Sequence, residues 1–140
     1  MEATMLLADF VQVCDGKLTL VGAGWTMTSG GERAVPFGLG IIVDVPWDRA
    51  NERHQWRLDL IDEDGVAVTQ NRPGGPELPI RLTGHLEVGR PPGLPPGSDL
   101  QATLAINAPP FPLPEGKGFT WRLSINDVEV DTCSFRTRPS

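Results

Sequence analysis

The chain has no tyrosine and almost no lysine, only two cysteines and two histidines in 140 residues, and neither a long apolar run nor a run of basic residues. Each shortage removes a class of protein. Non-specific nucleic-acid binding needs several Lys or Arg side chains on one face to release counterions from phosphates. Here 12 basic residues are scattered among 18 acids and the net charge is −6, which excludes nucleic acid as a partner. No stretch approaches the roughly 18 apolar residues of a membrane span, so no membrane partner is expected. Between Glu2 and Asp9 lie only a few apolar residues. A secretory signal needs a basic start and a longer apolar run, so a cytoplasmic location is expected. Cys14 and Cys133 show neither a CxxC pair nor metal-ligand spacing. In a reducing cytoplasm they read as two half-buried thiols rather than a bridge.

What is present is period-2 alternation, with helical period scarce. Leu100, Ala102, Leu104 and Ile106 fall on one face, opposite Gln101, Thr103 and Asn107, with Ala105 the one apolar intruder. Phe119, Trp121, Leu123 and Ile125 alternate with polar residues, as do Trp56, Leu58 and Leu60. Ile80, Leu82, Leu86 and Val88 alternate with Arg81, Thr83, His85 and Glu87, with Gly84 in mid-strand. Each reads as a strand with one wet face and one dry face. Met5–Val13 and Phe37–Val45 are apolar on both faces, which implies cover on both sides by the chain itself or by a second subunit. Turns at Asp15-Gly16, Asp62–Gly65 and Asn126-Asp127 agree. A parity shift between Val130 and Phe135 predicts a bulge in the last strand. Gly22-Ala23-Gly24 and Gly38-Leu39-Gly40 read as strand glycines that permit close backbone approach. The expectation is an all-β, single-domain antiparallel β-sandwich over 1–140, of Greek-key or jelly-roll kind, with about eight or nine strands. One short helical turn is expected near 47–53, with Trp47 capping the core.

Two proline-rich segments join strands, 89–98 and 108–116, and carry Leu94, Phe111 and Leu113. Fixed φ makes both stiff. They read either as plugs for the open end of the sandwich or as a preformed rim that frames a groove. In the second case Trp47, His54, Arg90, Leu94 and Phe111 are the candidate ligand contacts.

Reaction chemistry is scarce. A nucleophile needs a base in reach and a third group to orient it, and no Gly-x-Ser-x-Gly elbow occurs. The best candidate is His54 with Asp48 or Asp62, and it is weak. Asp62, Glu63 and Asp64 lack the alternation of a calcium loop and read as a solvated hairpin tip. Glu129 and Asp131 are expected on one strand face, paired with Arg122 across strands. No catalytic residue, metal or cofactor is assigned.

Three stretches then form a set: Thr4–Asp9 with Asp15-Gly16-Lys17 and Gly24-Trp25-Thr26; Val45-Pro46-Trp47 with Asn51 and His54; and Gly89–Gly93 with Pro96-Gly97. The set resembles an uncharacterised family of small bacterial proteins, chiefly actinobacterial, whose domain has no known function. The likeness covers nearly the whole chain and implies no activity, cofactor or site. The first functional expectation is a non-catalytic interaction or assembly module, partnered by another protein or by itself as a homo-oligomer. Its sharpest form is a homodimer through the strand at 5–13 or at 37–45, with Leu6, Phe10, Leu39 and Ile41 at the interface. The alternative is a small-ligand binder using the proline-rimmed groove.

Overall fold

A computed structural model describes residues 1–70 and 74–139, with the side chains of residues 33–35 outside the description. In chain order the strands are β1 (Glu2–Ala8), β2 (Phe10–Cys14), β3 (Lys17–Val21), β4 (Met27–Thr28) and β5 (Gly31–Val45), then β6 (His54–Asp62), β7 (Thr69–Gln70), β8 (Leu78–Pro79) and β9 (Arg81–Leu86), and finally β10 (Leu100–Leu113), β11 (Gly118–Ile125) and β12 (Val128–Thr137). A three-stranded sheet, β1-β5-β10, packs against a five-stranded one, β4-β12-β11-β6-β9. Two hairpins, β2–β3 and β7–β8, stand apart as small sheets.

The architecture is the expected all-β sandwich. The segments β5→β6 and β10→β11 both pass from one sheet to the other. β5 lies beside β10 in one sheet and β6 beside β11 in the other. This interlock is a Greek-key arrangement of the kind two-sheet sandwiches use. Among the described residues there are twelve strands instead of eight or nine, because four pieces of two to five residues pair outside the main ladders. One contact departs from the antiparallel rule: β4 pairs parallel with β12.

The dry faces meet as the alternation requires. Leu39, Ile41, Val43 and Val45 of β5 face Leu58, Leu60, Trp121 and Leu123 of the other sheet, all fully buried. Each such side chain stabilises the fold by about 1.5–3 kcal/mol. Phe37 is the hub of an aromatic group, 5.1 Å from Phe111, 5.0 Å from Phe135 and 5.7 Å from Trp25 between ring centroids. Gly84 lies opposite Trp56 on the dry face, and the indole occupies the space a Cβ would take. A glycine in mid-strand is explained by that one large neighbour.

The short helical turn and the bulge in the last strand are found, and two local expectations need correction. The short helical turn near 47–53 is one 3-10 turn, Trp47–Arg49, closed by bonds from the Arg49 and Ala50 amides. Ala50, in extended conformation, ends it, and Asn51 follows with φ +58°. Gly22 and Gly24 sit in a loop after β3, outside any strand. The bulge in β12 falls at Val130, where the pairing slips between Leu123↔Asp131 and Ser124↔Glu129. It separates the two acids that alternation had placed together. Glu129 stays near Arg122, at 3.9 Å. Asp131 turns instead to accept a bond from the Met5 amide, at 2.8 Å.

Candidate functional site

The connection between β9 and β10 and the start of β10 form a groove of about 660 Å3, with Val88, Leu94 and Leu100 as apolar lining and Arg90, Asp99 and Gln101 as polar lining. Two tight turns stiffen the connection, Leu94 N–H to Pro91 O and Ser98 N–H to Pro95 O. Ser98 Oγ also donates to Pro95 O, at 2.6 Å. Arg90 ties the segment to the 3-10 turn. Its Nε and Nη2 donate to Trp47 O, at 3.2 and 2.7 Å, and its guanidinium lies 4.6 Å from the indole centroid, a cation–π contact. Arg90 and Leu94 therefore line the groove together, and Trp47 stands behind Arg90.

His54 and Phe111 are not part of that groove. His54 is buried, and both ring nitrogens are engaged. Nε2 lies 3.0 Å from Arg49 O and Nδ1 lies 3.0 Å from Asn126 Nδ2. A carbonyl only accepts, which assigns the proton to Nε2 and leaves Nδ1 to accept from the amide. Neither contact is Asp48 or Asp62, so the ring pins the 3-10 turn to the β11–β12 hairpin. Phe111 is buried in the aromatic group around Phe37. Residues 108–113 continue β10 through two register shifts rather than forming a loop. The two proline-rich segments meet opposite ends of β10, so they do not frame one groove.

The interface candidates also separate. Leu39 and Ile41 lie inside the core, and Leu6 and Phe10 are 44% and 48% exposed. The outward face of β5 carries Gly38 and Gly40, and hairpin β2–β3 lies over it. Leu18 and Leu20 occupy the space that a Cβ on Gly40 would need. The side chain of Asn107 on β10 ties the hairpin down, accepting from the Val11 amide at 3.1 Å and donating to its carbonyl at 2.9 Å. Thr103 donates to Gly16 O. Cover for the doubly apolar strand thus comes from its own chain. The hairpin's outer surface in turn presents Phe10 directly opposite Val21, which is 53% exposed. A shallow hollow lined by Asp9, Gly22, Trp25 and Met27 adjoins it.

One cluster was not foreseen from the sequence. On the wet face of the five-stranded sheet the Asp59 carboxylate, 6% exposed, accepts from Arg81 Nε at 2.6 Å and Arg57 Nε at 3.0 Å. Arg122 stands 3.9 Å away. Burial pushes the Asp59 carboxyl up, but the bonds from Arg81 and Arg57 outweigh it and hold it below its ordinary value. Arg57, bonded to Asp59 and to Asp127, is held still more firmly protonated. The alternation of Arg57 and Asp59 was visible in sequence, but the arrival of Arg81 and Arg122 needs the strand register. Cys133 is half-buried, which raises its thiol pKa against an opposing Leu7 backbone contact, and Cys14 is exposed.

These features define a two-sheet β-sandwich with one stiff groove, one exposed apolar hairpin face and an arginine–aspartate network. No helix among the described residues is long and apolar enough to cross a membrane. The chain belongs to DUF6941, a family of unknown function, which matches residues 3–138. No curated protein and no solved structure matches it.

Proposed function

We propose that the protein is a non-catalytic interaction module of the cytoplasm that self-associates through the outer face of the β2–β3 hairpin that covers its three-stranded sheet. The supporting observation is the Phe10–Val21 pair. Two large apolar side chains face each other on the outside of a hairpin, about half exposed, with Leu6 and Met27 also exposed. Scattered apolar residues are ordinary on a surface, but a cross-strand pair with neighbours of its kind marks a contact site. The hairpin is held in place by Asn107 and by the glycines of β5, so the surface is preformed and loses little entropy on binding.

Sedimentation velocity from ~10 μM to ~500 μM tests this, and truncating two anchors to serine together (Phe10→Ser with Val21→Ser) weakens association by at least about tenfold. A wild-type chain that remains monomeric across the range refutes self-association. A dimer indifferent to the double substitution refutes the surface. A second reading rests on the Arg90–Trp47 groove, whose apolar lining and few polar groups suit a small molecule.

A further inference from the structure

One of the two outer strands of the five-stranded sheet is β9. Which of its backbone groups face outward follows from the bonds around it. The Leu60 amide donates to Ile80 O at 3.2 Å, and the Asn126 amide donates to Gln55 O at 2.8 Å. The Gln55 carbonyl therefore points toward β11, away from β9. By antiparallel alternation Leu82, Gly84 and Leu86 turn their amides and carbonyls toward β6, and Arg81, Thr83 and His85 turn theirs away. The bond from the Asn51 amide to Val88 O continues the same parity. Among the described residues no backbone group pairs with the outward set.

Other edges are blunted over all or part of their length, β10 only beyond Ala108. β10 is interrupted by Pro109, Pro110 and Pro112 and by two register shifts. The Met5 amide of β1 is taken by Asp131, and β4 has only two residues. β9 has no proline and no bulge, and its single charge, Arg81, is turned onto Asp59, so little protects it against edge pairing.

Its sequence is also complementary to itself. An antiparallel partner centred on Gly84 sets Arg81 opposite Glu87, Leu82 opposite Leu86 and Thr83 opposite His85. The outward-facing residues then form the hydrogen-bonded pairs. Opposite charges meet on the wet face. Arg81 gives Nε to Asp59 and remains half exposed, and Glu87 is exposed. The leucines meet on the dry face, beside a hollow of about 400 Å3 lined by Leu78, Ile80, Leu82 and Phe111. Moving the centre to Thr83 sets Arg81 against His85 and loses the charge match.

We propose that β9 pairs with β9 of a second copy about a two-fold axis at Gly84, joining the two five-stranded sheets edge to edge. This shares with the reading above only the second copy as partner, and it uses a different surface. Two distinct two-fold contacts on one chain build either a closed tetramer or an open fibre.

Amide hydrogen exchange against concentration tests the pairing. In dilute protein the Arg81, Thr83 and His85 amides exchange fast and those of Leu82, Gly84 and Leu86 slowly. In the associated state the first three slow by at least about tenfold. Glu87→Arg, which opposes Arg81 with its own sign, abolishes that protection. So does Thr83→Pro, which removes an outward amide at an edge position that tolerates proline. The Phe10→Ser, Val21→Ser chain retains it. Fast exchange at all three amides in protein that sediments as a dimer overturns the β9 pairing and leaves the Phe10–Val21 contact standing. A dimer lost only in the Phe10→Ser, Val21→Ser chain has the same meaning. A chain that is monomeric throughout overturns both.

Discussion

Asp59→Asn tests whether the arginine network contributes to stability or merely decorates a surface. The carboxylate is 6% exposed and accepts two short bonds, from Arg81 at 2.6 Å and Arg57 at 3.0 Å. Bonds to charged groups contribute about 1.5–3 kcal/mol each when well shielded. Arg81 is 50% exposed and Arg57 29%, so water screens both guanidiniums and rehydrates them once released. Discounting each bond by about half leaves a cost of roughly 2 kcal/mol for the substitution at neutral pH. The sign with pH follows from the depressed carboxyl. The unfolded chain binds its proton near pH 3.9, above the folded value. The stabilisation is therefore complete above about pH 5 and disappears as pH falls through the folded value. Urea unfolding of the wild-type and Asp59→Asn chains from pH 7 downward reads the difference directly. A gap under about 0.5 kcal/mol at pH 7 refutes the argument, as would a gap that stays constant in acid for as long as both chains remain folded.

Two further outcomes are expected. Asn107→Ala removes both bonds to Val11 and costs about 1–2 kcal/mol. Hydrogen exchange then accelerates in β2 and β3 but not in β11, and unchanged hairpin protection would show that packing on Gly40 alone holds it. A thermal-shift screen with sugars, nucleotides, lipids and anions tests the Arg90–Trp47 groove. A ligand at a hundredfold its Kd raises the melting temperature by about 5–10 °C, and the rise is lost in Arg90→Ala. No stabilisation by any compound removes that reading.

Much of the fold was legible because burial on one face of a strand leaves a period-2 trace that no other structure imitates. Trp121, Leu123 and Ile125 are buried where alternation put them, and so are Leu58, Leu60, Leu100 and Ala102. Even Ala105, an apolar residue on a wet face, has a cause, since it pairs with Gly40 under the hairpin. The proline segments were harder, because composition does not distinguish a stiff connection from an edge strand. Pro91–Pro96 remain loop, whereas Pro109–Pro112 continue β10 at the edge of its sheet, where a missing amide costs little. Topology also forbids what proximity in sequence suggested. Connections entering and leaving one strand lie at its opposite ends, some 40 Å apart for a strand as long as β10, so the two could never rim a single site.

The doubly apolar strand at 37–45 shows where a one-dimensional reading runs out, and also what could have extended it. Cover by a second subunit and cover by the chain's own hairpin both bury the second face and leave the same hydrophobic run. The difference lies in the size of the outward residues. A face that meets another subunit needs side chains to bury, since apolar area removed from water drives association. A face over which a tethered hairpin must lie close needs them removed. Gly38 and Gly40 alternate on the outward side of β5; the hairpin's Leu18 and Leu20 fill the space over Gly40, and the backbone of Ala8 and Phe10 lies against Gly38. Glycines spaced by two on one face of a strand, with a short hairpin of alternating leucines nearby in sequence, therefore argue for cover from within. That moves the search for a partner off β5 and onto what the hairpin leaves outside, the Phe10–Val21 pair, and onto the bare edge of β9.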